Sequence, residues 1–169
     1  MGTTVSLRAA TVAAYVPLAG EPAGPGLVDA LAAVAARLLL PVLRDDLDLD
    51  WGLYDGPSSL VDGRFGLRQP TGPHLGVAAV SSADLVIVPA VAVDRTGMRL
   101  GRGGGSYDRA LARVTTGLVV ALLYDGELVE SVPADPHDRS VDAVITPSGG
   151  LFRFSLSVDQ NTKTGRPGP

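Results

Sequence analysis

The stretch from Asp84 to Arg109 constrains the fold of this chain more than any other. It begins with an apolar run, Leu85 to Val88, that is long enough for a buried strand and is followed by Pro89, which cannot donate to a central ladder. Glycines then occupy positions 101, 103, 104 and 105, and apolar residues return at helical spacing after Tyr107. The order strand, glycine-rich loop, helix is therefore predicted, with the helix over residues 107–114.

The chemistry of the glycine-rich loop favours an anion. Glycine permits positive φ and lets backbone N–H groups approach a ligand without obstruction by Cβ, and the start of a helix adds unpaired donors. Arg99 and Arg102 flank the loop with forked donors that suit phosphate. A Walker loop is absent, and a GxGxxG pattern is incomplete because its last position is Ser106. On spacing alone, a phosphate site and a plain surface turn are supported about equally.

Composition excludes several classes of protein. The chain has 169 residues, 46% of them apolar, which suits one domain with a sizeable core. A net charge of -4 argues against electrostatically driven binding to nucleic acid, and the lack of cysteine excludes disulfides and thiolate metal sites. No apolar run approaches the roughly 18 residues of a membrane span. With no signal-like pattern at its start, we expect a cytoplasmic protein with one domain over residues 1–154 and a flexible tail over 155–169.

Further apolar runs predict strands that alternate with helices. The additional strands are Thr11–Val16, Leu38–Leu43, Leu118–Leu123 and Val141–Thr146, and another helix begins at Leu27. Pro41 places the second strand at an edge or a bulge, and the Asp-Gly pair after Tyr124 predicts a hairpin turn. The acidic run Asp45–Asp50 lacks the glycine and terminal glutamate of a calcium loop, so a solvated turn is favoured over a metal site. Trp51 belongs either in the core or at a pocket wall.

This alternation predicts an α/β protein with a mostly parallel sheet. In such sheets ligands bind outside the carboxyl ends of the strands. The segments expected together on that rim are Pro17–Glu21, Pro89–Asp94 and the glycine-rich loop.

Two separated segments resemble one family. Residues 94–109, DRTGMRLGRGGGSYDR, are similar to the signature of the 5-formyltetrahydrofolate cyclo-ligases, also called 5,10-methenyltetrahydrofolate synthetases, which reads roughly D-x-x-G-x-R-L-G-x-G-x-G-[YF]-Y-D-R. Residues 132–147 resemble the closing pattern P-x-x-x-H-D-x-x-V-D-x-V-x-T, and Phe65–Pro70 resembles the family's G-I-x-x-P segment. The chain departs from the signature at Ser106, where an aromatic residue is usual, and at Gly104, where some members carry a lysine that reaches the nucleotide phosphates.

The resemblance implies a three-layer α/β/α fold with the topology of the ribose-5-phosphate isomerase and CoA-transferase-like folds. It also implies ATP- and magnesium-dependent conversion of 5-formyltetrahydrofolate to 5,10-methenyltetrahydrofolate through a phosphorylated formyl intermediate. The candidate catalytic residues are Arg99, Arg102 and Tyr107. The candidate nucleotide-binding residues are Gly101, Arg102, Gly103, Gly104, Gly105, Ser106, Tyr107 and Asp108. The candidate substrate-binding residues are Glu21 and Trp51, and the candidate magnesium ligands are Asp108 and Asp142.

Each of these residues also has a structural interpretation. An isolated arginine at position 99 or 102 is typical of a solvated surface, and Tyr107 either donates at the site or packs under the loop. Asp108 equally suits the first turn of a helix because of the helix dipole. Asp142 suits a cap or a salt bridge, and Asp94 suits the turn before Gly97.

The start of the chain leaves two further hypotheses open. Family members usually begin with a helix whose lysine and arginine reach the ATP phosphates, whereas here only Arg8 precedes the first strand. A degenerate or truncated member that binds nucleotide or folate without efficient turnover is the second hypothesis. A phosphosugar isomerase or acyl-CoA transferase on the same topology, with no need for ATP, is the third. We expect a monomer or weak dimer whose partner is a reduced folate, with neither nucleic acid nor membrane.

Overall fold

The computed structural model of this chain describes residues 6–155, so the predicted tail lies outside the described residues apart from Ser155. The strands and α-helices are, in chain order, β1 (Thr11–Ala13), α1 (Leu27–Ala32), β2 (Arg37–Leu43), β3 (Leu49–Leu53), β4 (Leu60–Asp62), β5 (Arg68–Pro70), β6 (Leu85–Pro89), β7 (Ala92–Asp94), β8 (Arg99–Leu100), α2 (Ser106–Leu111), β9 (Leu118–Leu122), β10 (Leu128–Val129), β11 (Ala143–Thr146) and β12 (Gly150–Arg153). Short 3-10 turns lie at Leu7–Ala9, Gly24–Gly26, Pro57–Ser59, Arg64–Gly66 and Val77–Ser82. None of the helices between residues 6 and 155 has the length and apolar character needed to cross a membrane.

Seven of the described strands form one sheet in the order β12-β11-β9-β6-β1-β2-β3. The five strands from β11 to β2 run parallel, whereas the edge strands β12 and β3 run antiparallel to their neighbours. The strand order reverses at β1, since β2 lies on one side of it and β6 on the other. The predicted α/β class with a mostly parallel sheet is therefore confirmed.

The two faces of this sheet carry separate apolar clusters. Successive side chains of a strand point to opposite faces, so Leu39 packs with α2 and the turn Val77–Ser82, whereas Leu38 and Leu40 pack with α1. In β6 the same alternation places Val88 in the cluster on the α2 side of the sheet and Ile87 in the cluster on the α1 side. The result is the three-layer arrangement expected from the sequence, with helical segments on both sides of the sheet.

Pro41 lies inside β2, which is not an edge strand. The pairing of β2 with β1 ends at Leu39. On the other side of β2, every second residue forms hydrogen bonds to the chain of β3, including Leu38 through its carbonyl and Arg44 through its N–H. The nitrogen of Pro41 therefore faces away from β3 and lies past the last residue paired with β1. A proline is tolerated here because no ladder hydrogen bond is lost.

The hairpin predicted after β9 is wrong, although the Asp-Gly turn forms. The N–H of Tyr124 donates to the carboxylate of Glu127 at 2.8 Å, and the chain then enters β10, which pairs in parallel with β7. Both sides of β9 are already occupied by β6 and β11, so the sheet offers no free edge for a returning strand. Instead β10, β7 and β8 form a small separate sheet.

Candidate active site

The site lies where the strand order of the large sheet reverses. The segments after β1 and β6 leave neighbouring strands at their carboxyl ends, which is where open α/β sheets bind ligands. The hydroxyl of Tyr124 donates to the carbonyl of Glu21 at 3.0 Å, which ties the segment after β9 to the same place. Arg99 and Arg102 of the glycine-rich motif contact Pro89 and Glu21. The three segments expected together thus lie at one rim, and the segment after β9 joins them.

Asp94 fixes the start of the glycine-rich motif. Its carboxylate is buried and accepts hydrogen bonds from the N–H and hydroxyl of Thr96, at 2.8 and 2.6 Å, and from the N–H groups of Met98 and Val132, at 3.1 and 3.2 Å. Burial alone would raise the pKa of Asp94, but these hydrogen bonds outweigh it and lower the pKa below its ordinary value. The turn-building interpretation of Asp94 therefore accounts for this residue.

Arg99 is held inside the rim. It is only 6% exposed, and its guanidinium donates to the carbonyl of Pro89 at 3.2 Å and to the carboxylate of Asp108 at 3.5 Å. The same group lies 5.8 Å from the centre of the Tyr107 ring, within the range of a cation–π contact. A Cβ at Gly101 would lie 2.8 Å from Nη1 of Arg99, so glycine lets the loop pack closely against this guanidinium. Arg99 thus joins the end of β6 to α2.

Asp108 lies in the first turn of α2 and binds two groups. Besides Arg99, its carboxylate accepts the N–H of Arg139 at 3.2 Å. The segment before β11 is therefore connected to the glycine-rich loop through this carboxylate.

Arg102, Gly103 and Gly104 are exposed to solvent, and Gly105 is partly exposed. The side chain of Arg102 is 68% exposed, and its described partner is the carboxylate of Glu21 at 3.3 Å. No acceptor among residues 6–155 is bonded to the N–H of Gly103, Gly104 or Gly105. Gly103 and Gly105 have φ of +97° and +69°, a region that glycine adopts readily. The loop therefore presents unpaired donors and one accessible guanidinium at the rim.

One carboxylate, that of Glu21, lies beside this guanidinium, and two phenols lie near that carboxylate. Glu21 has its carboxylate fixed by the N–H of Leu18 at 2.7 Å. Burial raises the pKa of the Tyr15 hydroxyl, and the neighbouring Glu21 raises it further. Burial also raises the pKa of Tyr107, against the lowering effect of Arg99. Both phenols are consequently neutral donors at physiological pH.

The structure does not bring every predicted site residue to the rim. Trp51 is completely buried in the core cluster on the α2 face, which is one of the two positions expected for it. Asp142 precedes β11 at its amino end, and its carboxylate accepts the N–H of Val119 at 2.8 Å. Asp108 lies with Arg99 at the carboxyl end of β6, so the predicted pair of magnesium ligands is separated.

Two residues at this edge were not singled out from the sequence. Tyr15 lies two residues beyond β1, and only its place at the end of an apolar run before Pro17 could have identified it. Phe65 is 73% exposed with φ of +57°, an unusual combination for a large apolar residue. Its neighbour Arg64 pairs with Asp45 just beyond β2, which places this turn on the carboxyl side of the sheet. No pattern in the sequence indicates that exposure.

Comparisons with known proteins agree with this geometry. A sequence model of the "5-formyltetrahydrofolate cyclo-ligase family" matches residues 3–147. A 5-formyltetrahydrofolate cyclo-ligase of Mycolicibacterium smegmatis is 47% identical over 147 residues, covering 83% of this chain and 75% of the relative. One from Escherichia coli K12 is 35% identical, covering 84% of this chain and 80% of the relative.

Solved structures extend the likeness to the fold. The 5,10-methenyltetrahydrofolate synthetase of Aquifex aeolicus superposes with a TM-score of 0.72 at 31% identity, covering 91% of this chain and 78% of the other. The corresponding synthetase of Mycoplasma pneumoniae shares the fold at 20% identity, with a TM-score of 0.61 over 80% of this chain and 72% of the other. Together with the family match over residues 3–147, these findings show that the chain belongs to the 5-formyltetrahydrofolate cyclo-ligase family of enzymes.

Proposed function

We propose that this protein uses ATP to close 5-formyltetrahydrofolate to 5,10-methenyltetrahydrofolate, with release of ADP and phosphate. One observation carries the proposal: the N–H groups of Gly103–Gly105, which have no acceptor among residues 6–155, directly follow Arg102, whose exposed guanidinium contacts Glu21 at the switch point of the sheet. An anion fits the loop because backbone donors and a forked cation favour phosphate oxygens. Membership of the cyclo-ligase family supplies the substrate class.

The reaction needs an activated formyl oxygen. The formyl oxygen attacks the terminal phosphorus of ATP and ADP leaves, so that the oxygen carries the phosphoryl group. The N10 lone pair then adds to the formyl carbon, N10 loses its proton to solvent, and cleavage of the carbon–oxygen bond releases inorganic phosphate. Catalysis of this kind depends on positioning and on stabilising charge at the transferring group.

The residues of the rim divide this work. Arg102 is free to move from Glu21 to the phosphoryl oxygens because most of its side chain is exposed. Arg99 fixes the position of the loop and of the Tyr107 ring through its buried guanidinium. Tyr107 remains protonated and can donate to an oxygen of the reacting groups.

Magnesium fits this rim through one carboxylate. The ion usually keeps several waters and takes one or two carboxylates together with substrate phosphates. Of the two ligands predicted from the sequence, Asp108 lies beside the loop and could serve, whereas Asp142 is bonded to Val119 at the amino end of the neighbouring strands. When bound, the ion would neutralise charge on the phosphates of the nucleotide.

The experiment follows the absorbance of the methenyltetrahydrofolate product. The protein is mixed with 5-formyltetrahydrofolate, ATP and magnesium, beside reactions that lack ATP and beside the Arg102→Ala variant. Arg95→Ala is the matched control, since Arg95 is also exposed and also has a single carboxylate partner, Glu130 at 3.3 Å. We expect absorbance that requires ATP, falls about 100-fold in rate in Arg102→Ala, and is unchanged in Arg95→Ala.

The outcomes separate the competing functions. Product formed without ATP would refute the ATP-dependent mechanism. Nucleotide binding without any product would favour a family member that binds its ligands but does not turn them over. Equal rates in the two arginine variants would refute the role given to Arg102.

A further inference from the structure

Tyr15 contains a buried hydroxyl that the fold does not use. The residue is 3% exposed, and its hydroxyl has no hydrogen-bond partner among residues 6–155. Buried polar groups in native proteins are nearly always paired, and an unpaired hydroxyl is destabilising. A phenylalanine would fill the same apolar cluster without that penalty, so packing alone does not explain a tyrosine at this position.

The position of Tyr15 points to a ligand as the missing partner. The residue follows β1 at the point where the strand order reverses, which is the ligand-binding crevice of this kind of sheet. Among residues 6–155, two other buried groups lack partners, and both differ from the Tyr15 hydroxyl. The indole N–H of Trp51 lies in the core cluster, and Arg99 already makes two hydrogen bonds through its other nitrogens.

The surroundings of Tyr15 belong to the candidate active site. Tyr15 packs in the same cluster as Leu27 and Val28 of α1, and Tyr107 packs against that cluster from the first turn of α2. The carboxylate of Glu21 and the phenol of Tyr124 lie close enough to influence the pKa of Tyr15. Tyr15 in turn lies close enough to influence the pKa of Tyr107. Glu21 is held over this region by Leu18 and Arg102, at 2.7 and 3.3 Å. Movement of Arg102 to a phosphate would free Glu21 and give a ligand access to the phenol.

We propose that Tyr15 is a further substrate-positioning residue, whose hydroxyl donates a hydrogen bond to a carbonyl oxygen of the bound reduced folate. This inference rests on the proposed function, because it takes its ligand from that reaction. A neutral phenol beside a carboxylate is suited to donate to a carbonyl oxygen and not to take up a proton.

Tyr15→Phe tests the inference because it removes only the hydroxyl. Tyr54→Phe is the matched control: the hydroxyl of Tyr54 donates to Asp29 at 2.5 Å, and the N–H of Tyr54 is bonded to Leu38 near the amino end of β2, away from the rim. We measure the Kd for 5-formyltetrahydrofolate by calorimetry, the thermal midpoint, and kcat and KM. In Tyr15→Phe we expect a thermal midpoint equal to or above wild type, with a Kd and a KM raised about three- to tenfold. In Tyr54→Phe we expect a lower midpoint with unchanged folate affinity.

The result distinguishes this inference from the proposed function. If the wild-type protein binds 5-formyltetrahydrofolate and Tyr15→Phe binds it equally well, the assignment of Tyr15 is overturned and the function stands. A thermal midpoint clearly below wild type in Tyr15→Phe would also overturn it, since the hydroxyl would then have a partner in the free protein. Failure of the wild-type protein to bind the folate would refute the proposed function and this assignment together.

Discussion

The glycine-rich motif consists of two parts that differ in how tightly the protein holds them. The anchored part, residues 94–101, contains Asp94 with four hydrogen bonds and Arg99 with two. The open part, residues 102–105, contains exposed Arg102 with one carboxylate partner and three glycine N–H groups that no described residue accepts. Two arginines three positions apart thus occupy contrasting environments.

The glycines show the same division. A Cβ at Gly97 would lie 2.7 Å from the carbonyl of Val141, and one at Gly101 would lie 2.8 Å from Arg99, so the anchored part uses glycine for close packing. Nothing lies within 4 Å of the position of a Cβ at Gly103 or Gly105. In the open part, glycine provides backbone conformation and access for a ligand. We infer that the anchored part fixes the position of the open part, and that the open part contacts the nucleotide.

The largest effect is expected from Arg99→Ala, which removes a side chain that stabilises the anchored part. It removes the guanidinium that joins Pro89 to Asp108 and leaves a partly buried carboxylate with one N–H partner, so we expect unfolding to become easier by about 3 kcal/mol. Turnover should fall with stability because the loop loses its support. Urea unfolding and the product assay measure the two losses.

A suitable control for Arg99→Ala is Arg113→Ala. Arg113 forms a two-pronged ion pair with Asp48 at 2.6 and 2.8 Å, and this pair does not touch the glycine-rich loop. We expect it to lose stability while the folded protein keeps its turnover. A stable and fully active Arg99→Ala variant would contradict the division of the motif.

The second prediction is that Arg102→Ala loses activity without losing stability. The Arg102–Glu21 contact is an exposed ion pair, which contributes about 0–1 kcal/mol to folding. We expect a rate about 100-fold lower, equivalent to about 2.7 kcal/mol of transition-state stabilisation, because the charge that faces the phosphoryl group is gone. Parallel unfolding curves and kcat/KM values provide the test. Equal losses of stability in Arg99→Ala and Arg102→Ala would remove the contrast between the two parts.

Much of this arrangement follows from the sequence because it depends on local patterns. Pro89 ends β6, apolar runs mark the parallel strands, and the parallel topology brings the loops after β1 and β6 to one rim. What the sequence could not provide is contact between distant residues. The motif does not indicate that Arg99 is buried and Arg102 exposed, because Pro89 and Asp108 come together around the Arg99 guanidinium only in the folded chain.

The features that the sequence did not indicate have the same origin. Asp142 has the residue type of a metal ligand, but its place at the amino end of β11 follows from strand register and not from composition. The Asp-Gly pair after Tyr124 forms its turn, yet the neighbours of β9 were already fixed by long-range pairing, so β10 joined another sheet. Strand β12 was missed because its four residues are exposed and include a glycine, which gives a weak strand signal.

The third prediction concerns the anchored part alone. Asp94→Asn should make unfolding easier by about 1–3 kcal/mol at neutral pH, because a charged acceptor of four hydrogen bonds is replaced by a neutral amide. The folded-state pKa of Asp94 lies below its unfolded value, so the stabilisation is complete above the unfolded pKa of about 3.9 and is lost as the pH falls through the folded pKa. The difference between wild type and variant should therefore be constant from pH 5 to 8 and shrink below about pH 4. A difference that does not depend on pH would show that the charge of Asp94 is not what matters.

The smallest effect is expected at the contact between the open part and Glu21. Because Arg102 lies 3.3 Å from Glu21, phosphates must compete with Glu21 for the guanidinium, and Glu21→Gln should tighten ADP binding about two- to fivefold. Glutamine can still accept the N–H of Leu18, so the loop after β1 keeps its local bond. Removing any nearby negative charge would also favour phosphate, and Glu127→Gln, near Tyr15, is the control for that general effect. The decisive comparison repeats Glu21→Gln in an Arg102→Ala background, where the gain in ADP affinity should vanish. A gain that persists without Arg102, or that Glu127→Gln reproduces, would mean that the ion pair does not restrain the open part.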